Sequence, residues 1–286
     1  MKAFNGALPN LYFRRFFACL YIFLGGVNLK KAILVVSFGT THKDTIKLTI
    51  EAVENRIKSE YEDYEVRRAF TSKFVIKALK NRDGIFIDTP EEALQKLYMD
   101  GYEEVFIQPL HLLPGSEYNN LCCTVKKFKK KNLIKKVKFG NCVLYKPEDY
   151  ELLIEVIKDI VEEKNTVVFM GHGSPYKDTN KCYTELQTLL CDNGYKSVFI
   201  GTIEGEPSIK NVIEWIKENE IKEVLLAPLM LVAGDHVEND MCGEQETSWK
   251  SILEKQGINV EVYTHGLGEL PKFQEIYLKH LKKICC

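Results

Sequence analysis

The sequence lacks several features that define common classes of protein. It contains no Cys-x-x-Cys pair, and its nine cysteines are an odd number, which argues against a closed disulfide framework. It has neither a G-x-x-x-x-G-K-[ST] loop nor a dinucleotide G-x-G-x-x-G motif, so we expect no nucleotide cofactor. The net charge of −1 gives no general reason to expect nucleic acid as a partner. We therefore expect reduced thiols in a reducing compartment.

The N-terminal segment, residues 1–30, differs from the rest of the chain. Lys2, Arg14 and Arg15 precede about a dozen apolar residues at 16–27. This run is too short to span a bilayer comfortably but fits the core of a signal peptide. Three interpretations remain open: an export signal, a membrane tether, or an extension upstream of a true start near Lys30. Membrane association is expected only through this segment, and the many thiols favour a cytoplasmic location for the catalytic body.

From Lys31 onward, strand-like and helix-like segments alternate. Apolar runs such as KAILVVSFGT and EEVFIQPLHLL are typical of buried strands, whereas residues 43–60 carry apolar side chains at helical spacing. Such alternation predicts an α/β fold, with a mostly parallel sheet covered by helices on both faces. The second half of the chain repeats the order, beginning with VVFMGHGS. The length allows one large core or two modest ones.

Local similarity between the halves indicates a duplication. VFIQPLHLLPGSEYNN aligns with VLLAPLMLVAGDHVEND, which places Glu117 opposite His236, and VVSFGTT aligns with FMGHGSP, which places Phe38 opposite His172. We predict two pseudosymmetric domains that face one cleft. The predicted units are the N-terminal segment at 1–30, an N-terminal α/β domain at 31–146, a connecting helix at 147–165, a C-terminal α/β metal-binding domain at 166–267 and a C-terminal helix at 268–286.

Three strand-like runs in the second half each end in a residue that can bind a metal ion. These residues are His172, Glu204 and His236. Because the carboxyl ends of parallel strands line one crevice, we expect the three side chains to converge there. Two imidazoles and a carboxylate suit a divalent transition metal and leave coordination positions open for a substrate. The pattern therefore predicts a metal-handling enzyme.

Each of these residues also has a purely structural interpretation. Glycines on both sides of His172 are equally typical of a turn in which the ring makes one structural hydrogen bond. Glu204 precedes a helix that starts near a proline, where a carboxylate often serves only the helix dipole. His236 has two acidic neighbours, Asp235 and Glu238, either of which could orient its ring. Their joint position at three strand ends favours the metal site.

The chain from about Lys31 to its C-terminus resembles the anaerobic, early-insertion cobaltochelatases of cobalamin biosynthesis, which act on sirohydrochlorin. These enzymes belong to the class II chelatases, which have two similar α/β domains and include ferrochelatase. The segments that carry the resemblance are ILVVSFGTTHKDT, QPLHLLPGSEY, FMGHGSPYKDTN, IGTIEGEPS and PLMLVAGDHVENDM. The resemblance implies that His172, Glu204 and His236 bind cobalt(II) as the substrate metal, and that His172 is also the proton acceptor.

The chemistry of the implied reaction suits these residues. Inserting a divalent ion into a tetrapyrrole removes two pyrrole N–H protons, and an imidazole with an ordinary pKa of about 6.5 can accept a proton near neutrality. The polycarboxylate sirohydrochlorin requires donors in the cleft. We expect them among Ser37, Gly39, Thr40, Ser116, Glu117 and Tyr118, with Phe38 against the ring plane; the alternative for each is an ordinary polar loop.

Other features receive plainer interpretations. The lysine-rich run from Lys126 to Lys138 is read as a solvated helix face and turn, or as an attraction for a polyanionic tetrapyrrole. His111 is expected in the core or the cleft wall, and His42, His265 and His280 on the surface. Two functions remain as alternatives to a cobaltochelatase: an iron chelatase for sirohaem or haem, and a non-catalytic tetrapyrrole or metal carrier. Association into a homo-oligomer stays open.

Overall fold

The computed structural model describes residues 29–162 and 166–285. The hydrophobic run at 16–27 and the end of the predicted connecting helix, 163–165, lie outside the described residues. Within those residues, no helix combines the length and the apolar character that crossing a membrane requires.

The N-terminal half alternates strands and helices as predicted. Helix α1 contains a π-helical turn in its middle, flanked by α-helical segments. The elements are β1 (Lys31–Ser37), α1 (Lys43–Thr45, the π turn Ile46–Ile50 and Glu51–Glu60), β2 (Glu65–Phe70), α2 (Lys73–Asp83), α3 (Pro90–Met99), β3 (Glu104–Pro109), α4 (Ser116–Lys130) and β4 (Lys136–Phe139).

The C-terminal half follows a long helix and repeats the same order. The elements are α5 (Pro147–Glu162), β5 (Val167–Gly173), α6 (Lys177–Asp192), β6 (Val198–Glu204), α7 (Ile209–Glu218), β7 (Glu223–Pro228), a π-helical segment (His236–Met241), α8 (Trp249–Lys255), β8 (Asn259–Val262), a 3₁₀ turn (Leu267–Glu269) and α9 (Pro271–Cys285).

The two sheets have the same topology. Their strand orders are β2-β1-β3-β4 and β6-β5-β7-β8, and all the pairings are parallel. Val36 of β1 pairs with Pro109, as Met170 of β5 pairs with Pro228. Phe38 and His172 each lie two residues further on, so the register agrees with the alignment of the halves. The predicted fold class is confirmed, whereas the exact domain boundaries stay a prediction.

Local sequence explains the ends of several helices. Thr89 caps α3 through a capping box with Glu92, and Pro90 occupies the first turn, where its missing N–H costs nothing. Ser72 caps α2 by accepting a hydrogen bond from the Val75 N–H, and Gly84 ends it in the left-handed conformation. These caps fix α2 and α3 at the carboxyl edge of the first sheet.

One buried cluster, the shared core, joins the two halves. It contains Phe106 of β3, Phe169 of β5, Leu153 of α5 and Tyr277 of α9. A separate cluster lies between the first sheet and helices α3 and α4, and another between the second sheet and helices α7 and α8. Because α5 and α9 contribute to the shared core, they hold the two sheets in a fixed relation.

One local expectation, a surface position for His280, is wrong, and two other segments differ in part from what was expected. The lysine-rich run, interpreted as a helix face and turn, also contains β4, a short strand in which Val137 is 7% exposed. Lysines suit such an edge strand because they prevent pairing with other chains. Ser116–Tyr118, for which an ordinary polar loop was the alternative to substrate binding, begins helix α4. His280 is buried, at 3% exposure, because α9 packs this face against α5.

Candidate active site

A cavity of about 330 Å³ lies between the two halves, at the carboxyl ends of their strands. Its walls include the three predicted metal ligands and every predicted substrate-binding residue except Ser37. These lining residues are Phe38, Gly39, Thr40, Ser116, Glu117, Tyr118, His172, Glu204 and His236. Residues far apart in sequence therefore meet at one opening, hereafter called the cleft.

His172 is the sixth residue of β5, and glycine is needed on both sides of it. A Cβ at Gly171 would lie 2.6 Å from the Tyr183 ring, and one at Gly173 would lie 2.1 Å from the Glu204 carbonyl oxygen. Gly173 also has a φ of +77°, which favours glycine. The His172 Nδ1 lies 3.1 Å from the Gly173 carbonyl oxygen, to which it donates. The other ring nitrogen, Nε2, is left for a ligand.

Glu204 is the last residue of β6 and pairs in register with Gly173. Its carbonyl oxygen accepts from the Ser174 N–H at 2.9 Å and from the Asn180 side chain at 3.2 Å. The chain then turns at Gly205, whose φ is +83°. These contacts hold the backbone of the strand end, while the carboxylate is exposed at the edge of the cleft.

His236 begins the π-helical segment that follows β7. Its Nδ1 donates to the Asp240 carboxylate at 2.7 Å. The expectation that Asp235 or Glu238 orients this ring is therefore wrong, because in a helical segment the residue four positions on returns to the same side. The spacing His-x-x-x-Asp was the signal that could have identified Asp240. A carboxylate in this position fixes the ring orientation and makes Nε2 a better ligand.

The two imidazoles are neighbours. Their ring centroids lie 4.7 Å apart, with the planes at 84°. No group of three or more His, Cys, Asp or Glu side chains within residues 29–162 and 166–285 is already arranged to hold a metal ion. His172 and His236 are thus an adjacent pair, and Glu204 shares their cavity without completing a three-ligand cage. The assignment of the ligands stays a prediction.

The N-terminal wall of the cleft has a different character. Phe38, the counterpart of His172, is 51% exposed although it is a large apolar side chain. Gly39 has a φ of +93° and packs on the Phe70 ring, which leaves no room for a Cβ. Thr40 lies against Gly234 of the opposite half. A Cβ built on Gly234 would be 3.1 Å from the Oγ1 atom of Thr40. Ser37 is 1% exposed at the end of β1 and does not line the cleft.

The start of α4 completes this wall. Ser116 and Glu117 lie on its first turn, and Tyr118 is 3% exposed with its hydroxyl 3.5 Å from the Gly140 carbonyl oxygen. Burial raises the pKa of the Tyr118 hydroxyl. The rings of His111 and Tyr118 form an edge-to-face contact, with centroids 6.3 Å apart. Both nitrogens of His111 are buried without a hydrogen-bond partner among the described residues, and burial lowers its pKa to about 4.

A larger cavity of about 980 Å³ borders the cleft. Phe38 and Glu117 line both the cleft and this cavity. Ser72, at the start of α2, also lines it. By the strand registers, Ser72 occupies the position in the first half that Glu204 occupies in the second. The counterparts of the three predicted ligands are therefore Phe38, Ser72 and Glu117, a set that lacks imidazole.

Comparisons with known proteins give the following similarities. Residues 31–285 match the family described as "Cobalt chelatase (CbiK)". The chain is 36% identical over 256 residues to the sirohydrochlorin cobaltochelatase of Salmonella typhimurium, covering 88% of this chain and 96% of that protein. It is 30% identical over 260 residues to the sirohydrochlorin cobaltochelatase CbiKC of Nitratidesulfovibrio vulgaris, covering 88% of this chain and 89% of that protein.

A solved structure shows the same fold. The structure described as SirB from Bacillus subtilis with Fe3+ has a TM-score of 0.62 to this chain at 18% identity. The match covers 89% of this chain and 95% of that one. At this level of identity the similarity concerns the fold alone.

Proposed function

This chain belongs to the cobalt chelatase (CbiK) family, and from that premise we propose that it inserts cobalt(II) into sirohydrochlorin. Two relatives that bear the name sirohydrochlorin cobaltochelatase support both the metal and the tetrapyrrole. In the reaction one divalent ion replaces two pyrrole N–H protons, so the charge of the macrocycle is unchanged and two protons leave. We propose that the reaction needs no ATP.

The adjacent pair of imidazoles carries this proposal. His172 and His236 each use Nδ1 for a contact within the protein, at 3.1 and 2.7 Å, which leaves both Nε2 atoms as ligands for cobalt. Imidazole nitrogen is a suitable donor for this ion. Glu204 at the neighbouring strand end supplies the carboxylate that reduces the net charge of the site. With three protein donors, other coordination positions remain for water and then for the pyrrole nitrogens.

His172 has a second role in the proposed mechanism. Pyrrole nitrogens bind the ion only after they lose their protons, so a base must face the macrocycle. When cobalt, still held by His236 and Glu204, releases His172, the freed Nε2 lone pair accepts one pyrrole proton and that nitrogen then binds the ion; the second pyrrole proton leaves to water. Metal release and proton acceptance are thereby coupled at one atom.

The N-terminal wall supplies the macrocycle site in this proposal. Phe38 offers an exposed aromatic face against the ring plane, and Gly39, Thr40, Ser116 and Glu117 offer polar groups along its edge. The cleft of about 330 Å³ is small for a tetrapyrrole, since ordinary ligand pockets already span roughly 300–1,000 Å³. The bordering cavity of about 980 Å³ provides room for the carboxylate-bearing edge.

We propose a cytoplasmic location for the catalytic body. Cys122, Cys142 and Cys182 carry free thiols, and burial raises the pKa of each of them, which keeps them protonated and unreactive. Such thiols are typical of a reducing compartment.

An anaerobic absorbance assay tests the proposed function. Purified protein is mixed with sirohydrochlorin and equal concentrations of cobalt(II), iron(II) or nickel(II), singly and in competition. We expect cobalt insertion well above the protein-free rate, unchanged by ATP, and faster than insertion of the other two metals. Preferential insertion of iron, stimulation by ATP hydrolysis, or tight binding of cobalt and macrocycle without turnover would each contradict the proposal.

A further inference from the structure

His42 links the N-terminal half to the segment that carries His236. This residue lies just before helix α1, and its Nε2 is 3.0 Å from an Asp235 carboxylate oxygen. Its Nδ1 is 3.3 Å from a Glu238 carboxylate oxygen. The Nε2 contact is a hydrogen bond to Asp235, and the Nδ1 contact brings the same ring next to Glu238, so one imidazole bridges the two carboxylates.

The two carboxylates flank His236 in sequence. Asp235 directly precedes it, and Glu238 belongs to the same π-helical segment. A further contact attaches the loop before this segment to the N-terminal half: the Thr45 hydroxyl donates to the Ala233 carbonyl oxygen at 3.2 Å. Gly234 also lies close to the His42 ring. A Cβ built on Gly234 would be 3.7 Å from Cδ2 of His42. The position of His236 therefore depends on residues outside its own half.

The loop that holds His42 is itself anchored. Arg82, near the end of α2, donates to the Thr41 carbonyl oxygen. Lys43 forms an ion pair with Asp83 at 2.9 Å. The ring of His42 is thus presented from a loop fixed on both sides to α2, rather than from a free surface loop.

The other member of the imidazole pair is held differently. His172 lies within β5, whose backbone pairs with β6 and β7 in the same half. The separation of the two rings is consequently set by the His236 segment. We infer that His42 is a positioning residue for cobalt binding: by holding Asp235 and Glu238, it sets the distance of His236 from His172.

This inference deepens the proposed function and rests on it for the identity of the metal. Exposed ion pairs contribute little to stability, roughly 0–1 kcal/mol. Removal of His42 should therefore change the geometry of the site much more than the stability of the fold. Partners that orient a metal ligand commonly contribute about 10–100-fold in affinity. His42 acts one contact further out, so we expect a smaller effect.

Cobalt(II) titrations of the full chain without tetrapyrrole test the inference. We expect His42→Ala to raise the cobalt dissociation constant by roughly 3–10-fold and to alter the visible absorption of bound cobalt(II). His42→Arg, which can donate to both carboxylates, should restore most of the affinity. His265→Ala is the matched control, since His265 forms an exposed pair with Glu269 at 2.8 Å but does not line the cleft.

Combination of His42→Ala with Asp235→Asn adds a specific readout. If the two residues act through one contact, the double variant should lose less affinity than the product of the two single losses. A cobalt dissociation constant for His42→Ala within twofold of wild type, an equal loss in His265→Ala, or fully multiplicative losses would overturn the inference. Because binding is measured without turnover, wild-type protein that fails to insert cobalt would count against the proposed function and not against this role.

Discussion

At the scale of single residues, the cleft contains imidazoles in different environments. His172 and His236 each have Nδ1 held by a contact within the protein, which leaves Nε2 as the nitrogen that can bind a ligand. His111 has both nitrogens buried without a partner among the described residues. An unpaired buried polar group costs roughly 1–3 kcal/mol, so this ring is tolerated at some expense to stability. His111 and Met230 occupy equivalent positions, since each lies two residues after a paired proline.

The buried His111 ring predicts a pH dependence of stability. Burial lowers its pKa to about 4 from an ordinary value of 6.5, so between these pH values the unfolded chain binds a proton that the folded chain does not. The contribution of this residue to stability must fall as the pH is lowered from about 6.5 to about 4. In His111→Met this contribution is absent, and methionine is accommodated at the equivalent position 230.

Urea unfolding of both proteins at pH 6.5 and pH 4.5 measures this difference. We expect the free energy of unfolding to fall more in the wild type than in His111→Met over this interval. Parallel losses in the two proteins would show that His111 is not the buried neutral ring described above.

At the scale of secondary-structure elements, the sequence predicted most of the fold. Strands β1, β3, β5 and β7 are apolar runs buried on both faces. Such runs can be recognised in a single sequence, without an alignment. The edge strands β4 and β8 have only four residues each and carry polar side chains, so they give no periodic signal. The π-helical segment at His236–Met241 was also beyond prediction, because its buried residues Val237 and Met241 are fixed by packing in the core of the second half and not by a helical sequence period.

The same limits apply to the candidate site. His172, Glu204 and His236 could be chosen because a strand end is visible in sequence, and all three line the cleft. Asp240 had only the spacing His-x-x-x-Asp as a signal. His42 had none, since its partners Asp235 and Glu238 are defined by a contact between the halves. His280 had a usable signal, because it follows Ile276 by four residues and therefore shares the buried face of α9.

The contact between α5 and α9 predicts a large effect on stability. His280 Nε2 lies 2.9 Å from an Asp149 carboxylate oxygen, with 2% and 0% of the two side chains exposed. Removing one partner leaves a buried carboxylate without its partner, which typically costs about 3–5 kcal/mol. We expect a loss of that size for His280→Ala in chemical denaturation.

Lys272→Ala provides the control for this prediction. Lys272 and Asp159 join the same two helices at 2.6 Å, but both side chains are more than half exposed. An exposed pair contributes about 0–1 kcal/mol. Comparable losses of unfolding free energy in the two variants would mean that burial does not determine how much the contact contributes to stability.

At the scale of the whole molecule, the two halves share a scaffold and differ at the strand ends that meet in the cleft. The second half presents His172 and His236, with centroids 4.7 Å apart, whereas the first half presents an exposed Phe38. A symmetric scaffold with asymmetric walls suits a reaction in which a metal ion passes from one side to a macrocycle on the other. The shared core and helices α5 and α9 keep these walls opposed.

The initial rate of cobalt insertion by His172→Ala at saturating cobalt tests the role of the second half's wall of the cleft most directly. Saturation removes any effect of weaker metal binding, so a remaining loss reports proton acceptance, which is typically worth about 10²–10⁴-fold. Phe38→Ala is the control variant, because Phe38 occupies the equivalent position in the other half. It should change mainly the KM for sirohydrochlorin. We expect His172→Ala to insert cobalt at least roughly 100-fold more slowly than wild type. A near-normal rate would contradict the assignment of His172 as the group that accepts the pyrrole proton.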